Sequence, residues 1–526
     1  MKEKMKLHLS QQDVYYGQIM NSQSSLYNVG GYGNFKGKFD ISRFESILKD
    51  SSKVFDFHKI KFDFKGAEPA QYIVDAPIPI YIDKLDFSST QEPQKEALDW
   101  MQNQFNIAFD LEKEKLYRIA LIKVSKDEYY CFFCFHHLIV DGYAFAIYFN
   151  YLITEYRKLL DNHNEFEDQY PSYADAVKRN LDYWKSKHYR KDTVYWKEKF
   201  KDIPDLIFSH KIQKNDSARS FFFPISKFDR ILLERLSEQT KTNVSQLTIA
   251  ALLVYFGKIT QQKSFCFGLS NHKRRGREER KIVGMFTGIL PFKGEFIPNQ
   301  LLSDVISNVK QTQRNDFRHG LYPISHLNRS LRLLSKNRLQ LFDVLINYQL
   351  LPFTDITDSD FKVQIKQLKS ASHLGVPLLI RWFDYGQEAH LELHIDYQEA
   401  YFNDVEIKLF VNRLLFVLRQ FESCLDKPIE NVSILPDEER HVLEGFNNSI
   451  FNDPTDSTIV DIFETQALKT PNAIAVVNEG SHLTYKELDK KSNQLAHYLM
   501  DKGVSVEDMV GICLGRSLEM IIGILG

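Results

Sequence analysis

Several absences limit what this chain of 526 residues can be. Its 67 Lys and Arg are balanced by 69 Asp and Glu, so charge gives no reason to expect nucleic acid or a lipid surface as a partner. The longest apolar run, Leu247–Phe256, is far shorter than the roughly 20 residues that span a bilayer. Residues 1–13 lack the apolar core of a secretory signal. We therefore expect no nucleic acid and no membrane partner, and Leu247–Phe256 is typical of a buried helix.

Cysteine is also scarce. Five cysteines, an odd number in a long chain, do not make a disulfide framework, which favours a reducing, cytoplasmic location. Cys131 and Cys134 form a CxxC pair, but they lie in the apolar segment EYYCFFCF, which is typical of a buried strand. A redox CxxC normally opens a helix, and no second pair lies nearby to complete a zinc site. We therefore predict a structural role for both cysteines.

The length predicts more than one domain, and the pattern of apolar runs predicts α/β architecture. Residues 1–180 and 181–435 each alternate between helix-like and strand-like segments, which indicates two lobes of mixed sheet. Residues 436–457 are rich in Asn, Asp, Ser and Pro and indicate a linker. Residues 458–526 indicate a further α/β domain, which ends inside an apolar pattern and is expected to be incomplete.

Within this last domain the pattern predicts the order strand, helix, strand, helix. The first strand is AIAVV, residues 473–477, and the first helix covers residues 481–503. Residues 510–526 are predicted to form the second strand and the second helix.

Polar residues end a very apolar hairpin in the first lobe. Residues 116–124 and 129–135 are β-rich apolar runs joined by the polar segment SKDE. Beyond them, apolar residues recur from Phe145 to Leu159 at spacings of three and four, which predicts one face of a helix. The segment HHLIVDG, residues 136–142, is therefore predicted to connect a strand to a helix.

The residue types in this segment suit acyl transfer. His136 and His137 are neighbours, and neighbouring side chains on a strand point to opposite faces, so only one of them can face a given cavity. Asp141 can orient other groups. Gly142 permits close approach of the backbone, and its N–H stands at the start of the helix, where it can bind an oxyanion. The alternative is a chance cluster, although unpaired polar groups in so apolar a place destabilise a protein.

HHLIVDG matches the HHxxxDG signature of the condensation domains of nonribosomal peptide synthetases, a superfamily that resembles chloramphenicol acetyltransferase and also includes epimerisation domains. Other segments resemble further motifs of the family: LSQQDVYYGQI (9–19), YPSYADAV (170–177), VGMFTGILPFK (283–293), HGLYP (319–323), the surroundings of Tyr397, and ILPDEER (434–440). The chain departs from the family in three places. Residues 48–57 lack the usual arginine, Gly288 replaces an Asn, and Lys293 replaces an Arg that could bind a carboxylate bidentately.

The last 70 residues resemble the start of an amino-acid adenylation domain. The matching segments are LTYKEL (483–488), SNQLAHYL (492–499) and RSLEMIIGILG (516–526). The phosphate-binding loop, the specificity pocket and the catalytic lysine come later in that family. We therefore do not expect adenylation activity from this segment.

The resemblance implies a fold and a reaction. The fold is two chloramphenicol-acetyltransferase-like lobes in a V-shaped pseudo-dimer with a tunnel between them, followed by an incomplete α/β adenylation subdomain. The reaction is attack of a carrier-bound aminoacyl amine on a carrier-bound acyl or peptidyl thioester. Donor and acceptor peptidyl carrier proteins and the adenylation domain of the same module are the implied partners. The substrates are held on 4'-phosphopantetheine arms, and no cofactor is expected to be bound by this chain.

The resemblance also implies residue roles. His137 contacts the attacking amine, Asp141 orients the loop through an ion pair, and His136 supports the motif from the other face. The Gly142 N–H binds the developing oxyanion. Orienting two tethered reactants can be worth effective molarities of about 10⁵–10⁸ M, whereas general-base help is worth roughly 10²–10⁴-fold. Positioning is therefore expected to supply the larger share.

Two alternative functions remain open, and so does the role of one basic run. The chain could be a starter condensation domain that acylates the first amino acid from acyl-CoA or an aryl carrier protein, which the short segment before the first motif would suit. It could be a non-catalytic platform that recruits carrier proteins. The basic run HKRRGREERK, residues 272–281, is typical of a solvated loop but could also contact a phosphopantetheine phosphate or an acidic carrier surface.

Overall fold

The computed structural model of this chain describes residues 4–66, 68–74, 78–160, 170–208, 217–350, 361–368, 375–385, 391–447 and 457–526, and the backbone of residues 356–357. The chain divides into two compact units, Met1–Glu439 and Arg440–Gly526. This division falls inside the predicted linker, of which Asp437–Asn447 form a helix and residues 448–456 lie outside the described residues. The predicted lobe and linker boundaries stay predictions.

The first unit contains fifteen strands and twelve α-helices in its described part. The strands are β1 (Met5–Lys6), β2 (Asn28–Gly37), β3 (Ile60–Asp63), β4 (Ala70–Ile73), β5 (Asp83–Asp86), β6 (Tyr117–Lys123), β7 (Glu128–His136), β8 (Ala218–Pro224), β9 (Ser264–Asn271), β10 (Gly288–Glu295), β11 (Val344–Leu350), β12 (Ile356–Thr357), β13 (Phe361–Gln367), β14 (Leu378–Asp384) and β15 (Leu391–Gln398). The helices are α1 (Leu9–Met20), α2 (Ile41–Val54), α3 (Pro93–Asn106), α4 (Gly142–Leu160), α5 (Tyr173–Lys185), α6 (Lys187–Lys199), α7 (Lys227–Thr240), α8 (Val244–Thr260), α9 (Gly276–Glu279), α10 (Leu302–Arg318), α11 (Ile324–Ser330) and α12 (Asp404–Cys424). Short 3-10 helices cover Phe57–Lys59, Leu333–Lys336 and Ile429–Asn431.

Two six-stranded mixed sheets form the lobes of this unit. The first has the order β12-β13-β2-β7-β6-β5, and its strands pair antiparallel except for β5 and β6. The second has the order β10-β9-β11-β14-β15-β8, in which β11 runs parallel to both neighbours. Each sheet has its own apolar core. The prediction of two α/β lobes of mixed sheet is confirmed.

The lobes exchange chain segments. Strand β13 comes from the sequence range of the second lobe, yet it pairs antiparallel with β2 in the first sheet. Residues 282–286 also cross, because Ile282, Val283, Met285 and Phe286 belong to the first core. The Ser10 hydroxyl donates to the Phe286 carbonyl at 2.6 Å, and the Tyr173 hydroxyl donates to the Met285 carbonyl at 2.8 Å. These contacts join the lobes into one compact unit.

The predicted hairpin and the predicted buried helix have local causes. Strands β6 and β7 pair with Tyr117 opposite Phe135, as the two apolar runs indicate. Helix α8 contains the run Leu247–Phe256 and is buried almost all round, which confirms the prediction from its unbroken apolar sequence. Asn243 caps it in a capping box with Gln246. Cys131 and Cys134 lie buried in β7 as predicted, both as free thiols.

The second unit differs from its predicted element order. It contains α14 (Ile459–Lys469), β16 (Ile474–Asn478), β17 (Ser481–Thr484), α15 (Tyr485–Asp501) and α16 (Leu518–Leu525), after the α13 helix Asp437–Asn447 that spans the division. The strand at AIAVV is confirmed, but the predicted helix start at residue 481 is wrong. Residues 481–484 pair with β16, and Thr484 caps α15 in a capping box with Glu487.

The predicted strand near residues 510–514 is also wrong. A strand needs a hydrogen-bonded neighbour, and in the described residues 457–526 the two strands β16 and β17 pair with each other. The order is therefore helix, strand, strand, helix, helix, and the second predicted helix forms at Leu518–Leu525. Across both units, every helix that the structure describes is too short or too polar to cross a membrane.

Candidate active site

The segment 136–142 lies where the central strand β7 of the first sheet ends. The backbone N–H of His136 donates to the Leu116 carbonyl at 2.9 Å, and that of His137 donates to the Tyr27 carbonyl at 2.8 Å. Neighbouring chain on both sides therefore holds the two histidines. The segment then turns into α4, which begins at Gly142, as the sequence predicts.

His136 is a fully buried, neutral histidine. Its Nδ1 accepts a hydrogen bond from the Leu138 N–H at 3.1 Å, so Nε2 carries the proton and donates to the Gln18 Oε1 atom at 3.0 Å. Burial, and to a smaller extent the adjacent His137, lower the pKa of His136 to about 3. Both ring nitrogens are thus engaged inside the first lobe, which fits support of the motif better than contact with a substrate.

His137 is half-buried, whereas His136 is enclosed. Burial lowers its pKa, and the Asp141 charge and the Val140 carbonyl raise it in part. Its Nδ1 is buried and makes no hydrogen bond of normal geometry with the described residues. The imidazole is therefore neutral near pH 7. The two histidines differ as their strand geometry predicts, because one is enclosed and the other retains access.

Asp141 is completely buried and holds the segment in place. Its Oδ1 accepts the Ala144 N–H at 2.8 Å, which caps helix α4. Its Oδ2 accepts the backbone N–H groups of Phe286 at 3.0 Å and Thr287 at 3.1 Å, and the Thr287 hydroxyl at 3.0 Å. Arg274 binds both oxygens, with Nη1 to Oδ2 at 2.8 Å and Nη2 to Oδ1 at 3.0 Å.

Burial alone would raise the pKa of the Asp141 carboxyl, but the Arg274 charge and these hydrogen bonds hold it at about 2. The expected ion pair of Asp141 is therefore present, and it joins the two lobes.

The sequence pattern does not indicate the partner, Arg274. This residue lies in the basic run 272–281, and the prediction of a solvated loop is wrong for Lys273 and Arg274, which are buried. Arg274 also stacks over the rings of Tyr143 and Phe286, with its guanidinium carbon 4.8 and 4.4 Å from the ring centroids. Charge runs are usually solvated, so no local signal marks the one arginine that points inward. The other basic residues of the run are Arg275, Arg277, Arg280 and Lys281, and they are exposed.

Gly142 faces a side chain of the second lobe. A Cβ atom at this position would lie 3.2 Å from Nε2 of Gln349, which is on β11. The Gly142 N–H is the first of helix α4, and such N–H groups have no partner within their helix. This end of the helix combines a close approach between the lobes with a backbone donor next to the Asp141 cap.

Two glutamines of the opening motif also brace the loop. Gln11 donates from Nε2 to the Leu138 carbonyl at 2.7 Å, and Gln18 binds His136 as described. Lys293, which replaces the family's arginine, donates to the backbone carbonyl of Asp202 at 2.8 Å. A point charge satisfies this backbone contact, so the departure at Lys293 does not involve the histidine loop.

The buried neutral histidines predict loss of stability in mild acid. Burial lowers the pKa of His8 and His136 to about 3 and that of His58 to about 4, from an ordinary 6.5. Below pH 6.5 the unfolded chain binds protons that the folded chain excludes, so each histidine can remove up to about 1.4 kcal/mol per pH unit. We expect the urea midpoint of unfolding to be level from pH 8 to pH 7 and to fall between about pH 6.5 and 4.5.

A matched variant tests this origin. His136→Gln keeps hydrogen-bonding groups but cannot be protonated, so its slope below about pH 6.5 should be smaller by up to about 1.4 kcal/mol per pH unit. An identical slope in wild type and variant would show that other groups cause the acid loss.

Comparison with models of protein families shows to which family this chain belongs. A model of the condensation domain matches residues 1–444, which is most of the chain, and a model of the AMP-binding enzymes matches residues 463–526. The chain belongs to the condensation domain family.

The relatives of this condensation domain are nonribosomal peptide synthetases. It is 25% identical over 528 residues to a dimodular nonribosomal peptide synthase of Bacillus subtilis (strain 168), and the alignment covers 98% of this chain and 22% of that protein. It is 28% identical over 515 residues to gramicidin S synthase 2 of Aneurinibacillus migulanus, and that alignment covers 95% of this chain and 11% of that protein. The chain thus spans less than a quarter of the length of these two relatives, as one condensation domain and the start of an adenylation domain.

Solved condensation domains share the fold. The starter condensation domain of rhizomide synthetase, as a variant in complex with C8-CoA, has a TM-score of 0.72 at 20% identity and covers 82% of this chain and 97% of that one. The first condensation domain of the calcium-dependent antibiotic synthetase has a TM-score of 0.69 at 18% identity, with 82% and 99% covered. The predicted two-lobed condensation fold is confirmed.

Proposed function

We propose that this condensation domain forms an amide bond by attack of a carrier-bound aminoacyl amine on a carrier-bound acyl or peptidyl thioester. His137 contacts the attacking amine, and the Gly142 N–H binds the oxyanion that develops on the thioester carbonyl. As the amine adds, the thioester C–S bond breaks, and the thiol of the donor carrier's phosphopantetheine arm leaves with the proton that the amine loses. Donor and acceptor carrier proteins are the proposed partners.

The observation that carries this proposal is the intact Asp141–Arg274 pair beside a neutral His137. The pair and its backbone hydrogen bonds fix the loop between the lobes, so the imidazole is held in one place. An unperturbed α-amino group has a pKa near 8, so a usable fraction is already unprotonated at pH 7. A held neutral imidazole can orient that amine and share its proton. A degenerate loop would have favoured the recruiting platform instead.

Two loaded carriers test the reaction. One carrier protein is loaded with an acyl group and the other with an amino acid, and intact-protein mass spectrometry follows the mass of the acceptor after the chain is added. We expect the acceptor to gain the mass of the acyl group, and we expect His137→Ala to slow this gain. Several donor and acceptor pairs that bind without any product would overturn the proposed reaction and favour the recruiting platform.

A starter reaction is the second candidate, because the rhizomide synthetase domain with this fold is a starter domain solved with C8-CoA. A parallel reaction with octanoyl-CoA in place of the donor carrier tests it. Product from the CoA thioester but not from a loaded carrier would assign the starter reaction. Product from two carriers alone would assign the elongating reaction.

Gly142→Ala is expected to slow condensation without destabilising the fold. Gly142 has ordinary helical backbone angles, so alanine fits the backbone. Its Cβ would occupy the space beside Gln349 and the helix N–H, and a misplaced reacting group can reduce the rate by about 10²-fold. Single-turnover rates and the urea midpoint measure the two effects.

The double variant Gly142→Ala/Gln349→Ala is the matched control. It removes the contact with the amide but keeps the methyl group at the helix start, so we expect its rate to stay low. Recovery of the rate would show that displacement of Gln349 causes the loss.

A further inference from the structure

Two polar side chains share the face of the second sheet that points away from the second core. On β11, Ile346 belongs to that core, so its neighbour Asn347 points to the opposite face. On β14, Trp382 belongs to the same core, so its neighbour Arg381 also points to the opposite face. Asn347 and Arg381 are partners in the parallel register of these two strands. They therefore lie side by side on one surface of the sheet.

The sheet is covered on both sides of this pair. The preceding register partners on the same face, Leu345 and Leu379, pack against a third apolar cluster. The following partners meet the first lobe, because Phe383 belongs to the first core and Nε2 of Gln349 lies 3.2 Å from the place of a Cβ atom at Gly142. The pair between these two covers is only half-buried. An accessible strip of sheet thus begins beside the start of helix α4.

Both side chains of the strip have hydrogen-bond donors to spare. Arg381 binds Asp396 through Nη2, at 2.8 Å from Oδ1 and 2.6 Å from Oδ2, and 18% of the arginine side chain is exposed. A guanidinium has five N–H donors, so this pairing leaves several of them. The Asn347 amide has no hydrogen-bond partner among the residues that the structure describes. Because Asp396 balances the arginine charge, the strip suits a neutral carbonyl better than a carboxylate.

The distance from the helix start to this strip corresponds to a spacing within the substrate. Gln349 lies beside Gly142, and Asn347 is two residues back along the same strand, about 6.7 Å away. An extended peptide advances about 3.3–3.6 Å per residue, so the carbonyl two residues before a thioester carbonyl lies at a similar distance from it. The first amide carbonyl of a pantetheine arm lies at a comparable distance on the other side of the sulfur. With the thioester carbonyl at the Gly142 N–H, a substrate amide can reach the strip.

We propose that Asn347 and Arg381 determine specificity by binding an amide carbonyl of the substrate. Both side chains donate to the carbonyl oxygen, and the Asn347 side-chain oxygen can accept the amide N–H. This inference rests on the proposed function, because the amide must belong to a molecule whose thioester reaches Gly142. The source of the amide is either the peptide chain of the donor or the pantetheine arm of its carrier. A substrate with methylene groups at this place leaves the donors unsatisfied and is therefore disfavoured.

Two pairs of matched donors test the strip on the full chain, with one loaded acceptor carrier. N-acetylglycylglycyl and N-pentanoylglycyl groups have the same backbone length, but only the first has the distal amide. If the peptide chain is the source, we expect a kcat/KM about tenfold higher for N-acetylglycylglycyl, the effect of hydrogen bonds left unmade at polar groups. If the arm is the source, the same preference will instead separate the N-acetylcysteamine thioester from the pentyl thioester of one acyl group.

Two variants change the strip in different ways. Asn347→Leu removes the amide at similar size, and Arg381→Lys keeps a positive charge for Asp396 but removes the planar set of donors. Each should bring the preference for the amide close to one, mainly through KM. Tyr348→Phe is the control, because Tyr348 is the next residue of β11 but packs against the second core on the other face. Its preference should remain that of wild type.

Either of two results would overturn this role of Asn347 and Arg381. One is that wild type uses both members of each matched pair equally well. The other is that the two variants lose rate equally with all donors and keep the preferences of wild type, which would make the two residues structural. The proposed condensation would survive both results, provided that wild type still forms product that depends on His137. Absence of any such product would overturn the proposed function itself.

Discussion

Asp141→Ala is expected to lower the free energy of unfolding of the first unit by about 3–5 kcal/mol, because it leaves the Arg274 guanidinium buried without its counter-charge. The carboxylate also accepts hydrogen bonds from the N–H groups of Ala144, Phe286 and Thr287. The variant therefore also removes the cap of helix α4 and the hydrogen bonds that hold residues 286–287 against the loop. Urea unfolding, followed by a probe in the first unit, measures the change.

Two control variants separate the buried pair from ordinary charge effects. Asp141→Leu/Arg274→Met removes both charges, so it should be more stable than Asp141→Ala alone. Arg235 and Glu422 form a solvent-exposed pair at 2.8 Å, and Glu422→Ala should change stability by less than about 1 kcal/mol. A loss for Asp141→Ala as small as that for Glu422→Ala would contradict the assigned role of Asp141.

The contribution of Asp141 to the free energy of unfolding should persist in mild acid. The folded pKa of Asp141 is about 2, below its ordinary 3.8. Its contribution is therefore fully present above about pH 4 and is lost only as pH falls towards 2. Protonation of the buried histidines lowers the free energy of unfolding already below pH 6.5. These histidines, and not Asp141, should therefore set the onset of acid unfolding.

His137→Ala is expected to slow amide formation by about 10²–10⁴-fold, the range for a positioned acid–base group, and to leave the fold intact. His137 is half-buried and its Nδ1 makes no hydrogen bond of normal geometry with the described residues, so little stability depends on it. Single-turnover assays with two loaded carriers measure the rate, and urea unfolding checks the fold. Activity within a few-fold of wild type would contradict the role.

A pH profile separates a neutral imidazole from a merely space-filling ring. The acceptor amine, with a pKa near 8, makes the rate of every variant fall gradually with acid below about pH 8. The pKa of His137 lies below its ordinary value, so wild type should show an additional, steeper fall below about pH 6.5. His137→Gln should be slow and should lack this acid limb, because glutamine can orient an amine but cannot take a proton. The same acid limb in His137→Gln and wild type would assign the limb to another group.

The sequence by itself determined the local structure around the motif. Two β-rich runs predict the β6–β7 hairpin, the spacing from Phe145 to Leu159 predicts α4, and strand alternation predicts different environments for His136 and His137. These features depend on residues that are close in the chain, so their pattern is visible in the sequence. Family membership follows from the same short segment and its companions.

In the second unit, local pattern is insufficient. It predicts a helix start at residue 481, where Ser481–Thr484 form a strand, and it predicts a strand at residues 510–514, where the structure has none. A strand exists only where another strand pairs with it, and the sequence of one segment does not contain its neighbour. The capping box of Thr484 and Glu487 is the available local signal for the true helix start.

Only the tertiary structure decided which charged side chains are buried and which of them are paired. Arg274 and Lys273 lie in a run of basic residues that is typical of a solvated loop. Arg274 nevertheless binds Asp141 across 133 positions of sequence, and Lys273 is buried beside Gly288. Burial and partnership of a charge depend on what the other lobe places beside it. Sequence spacing determines which side chains share one strand or helix, whereas packing of the two lobes determines which of them meet.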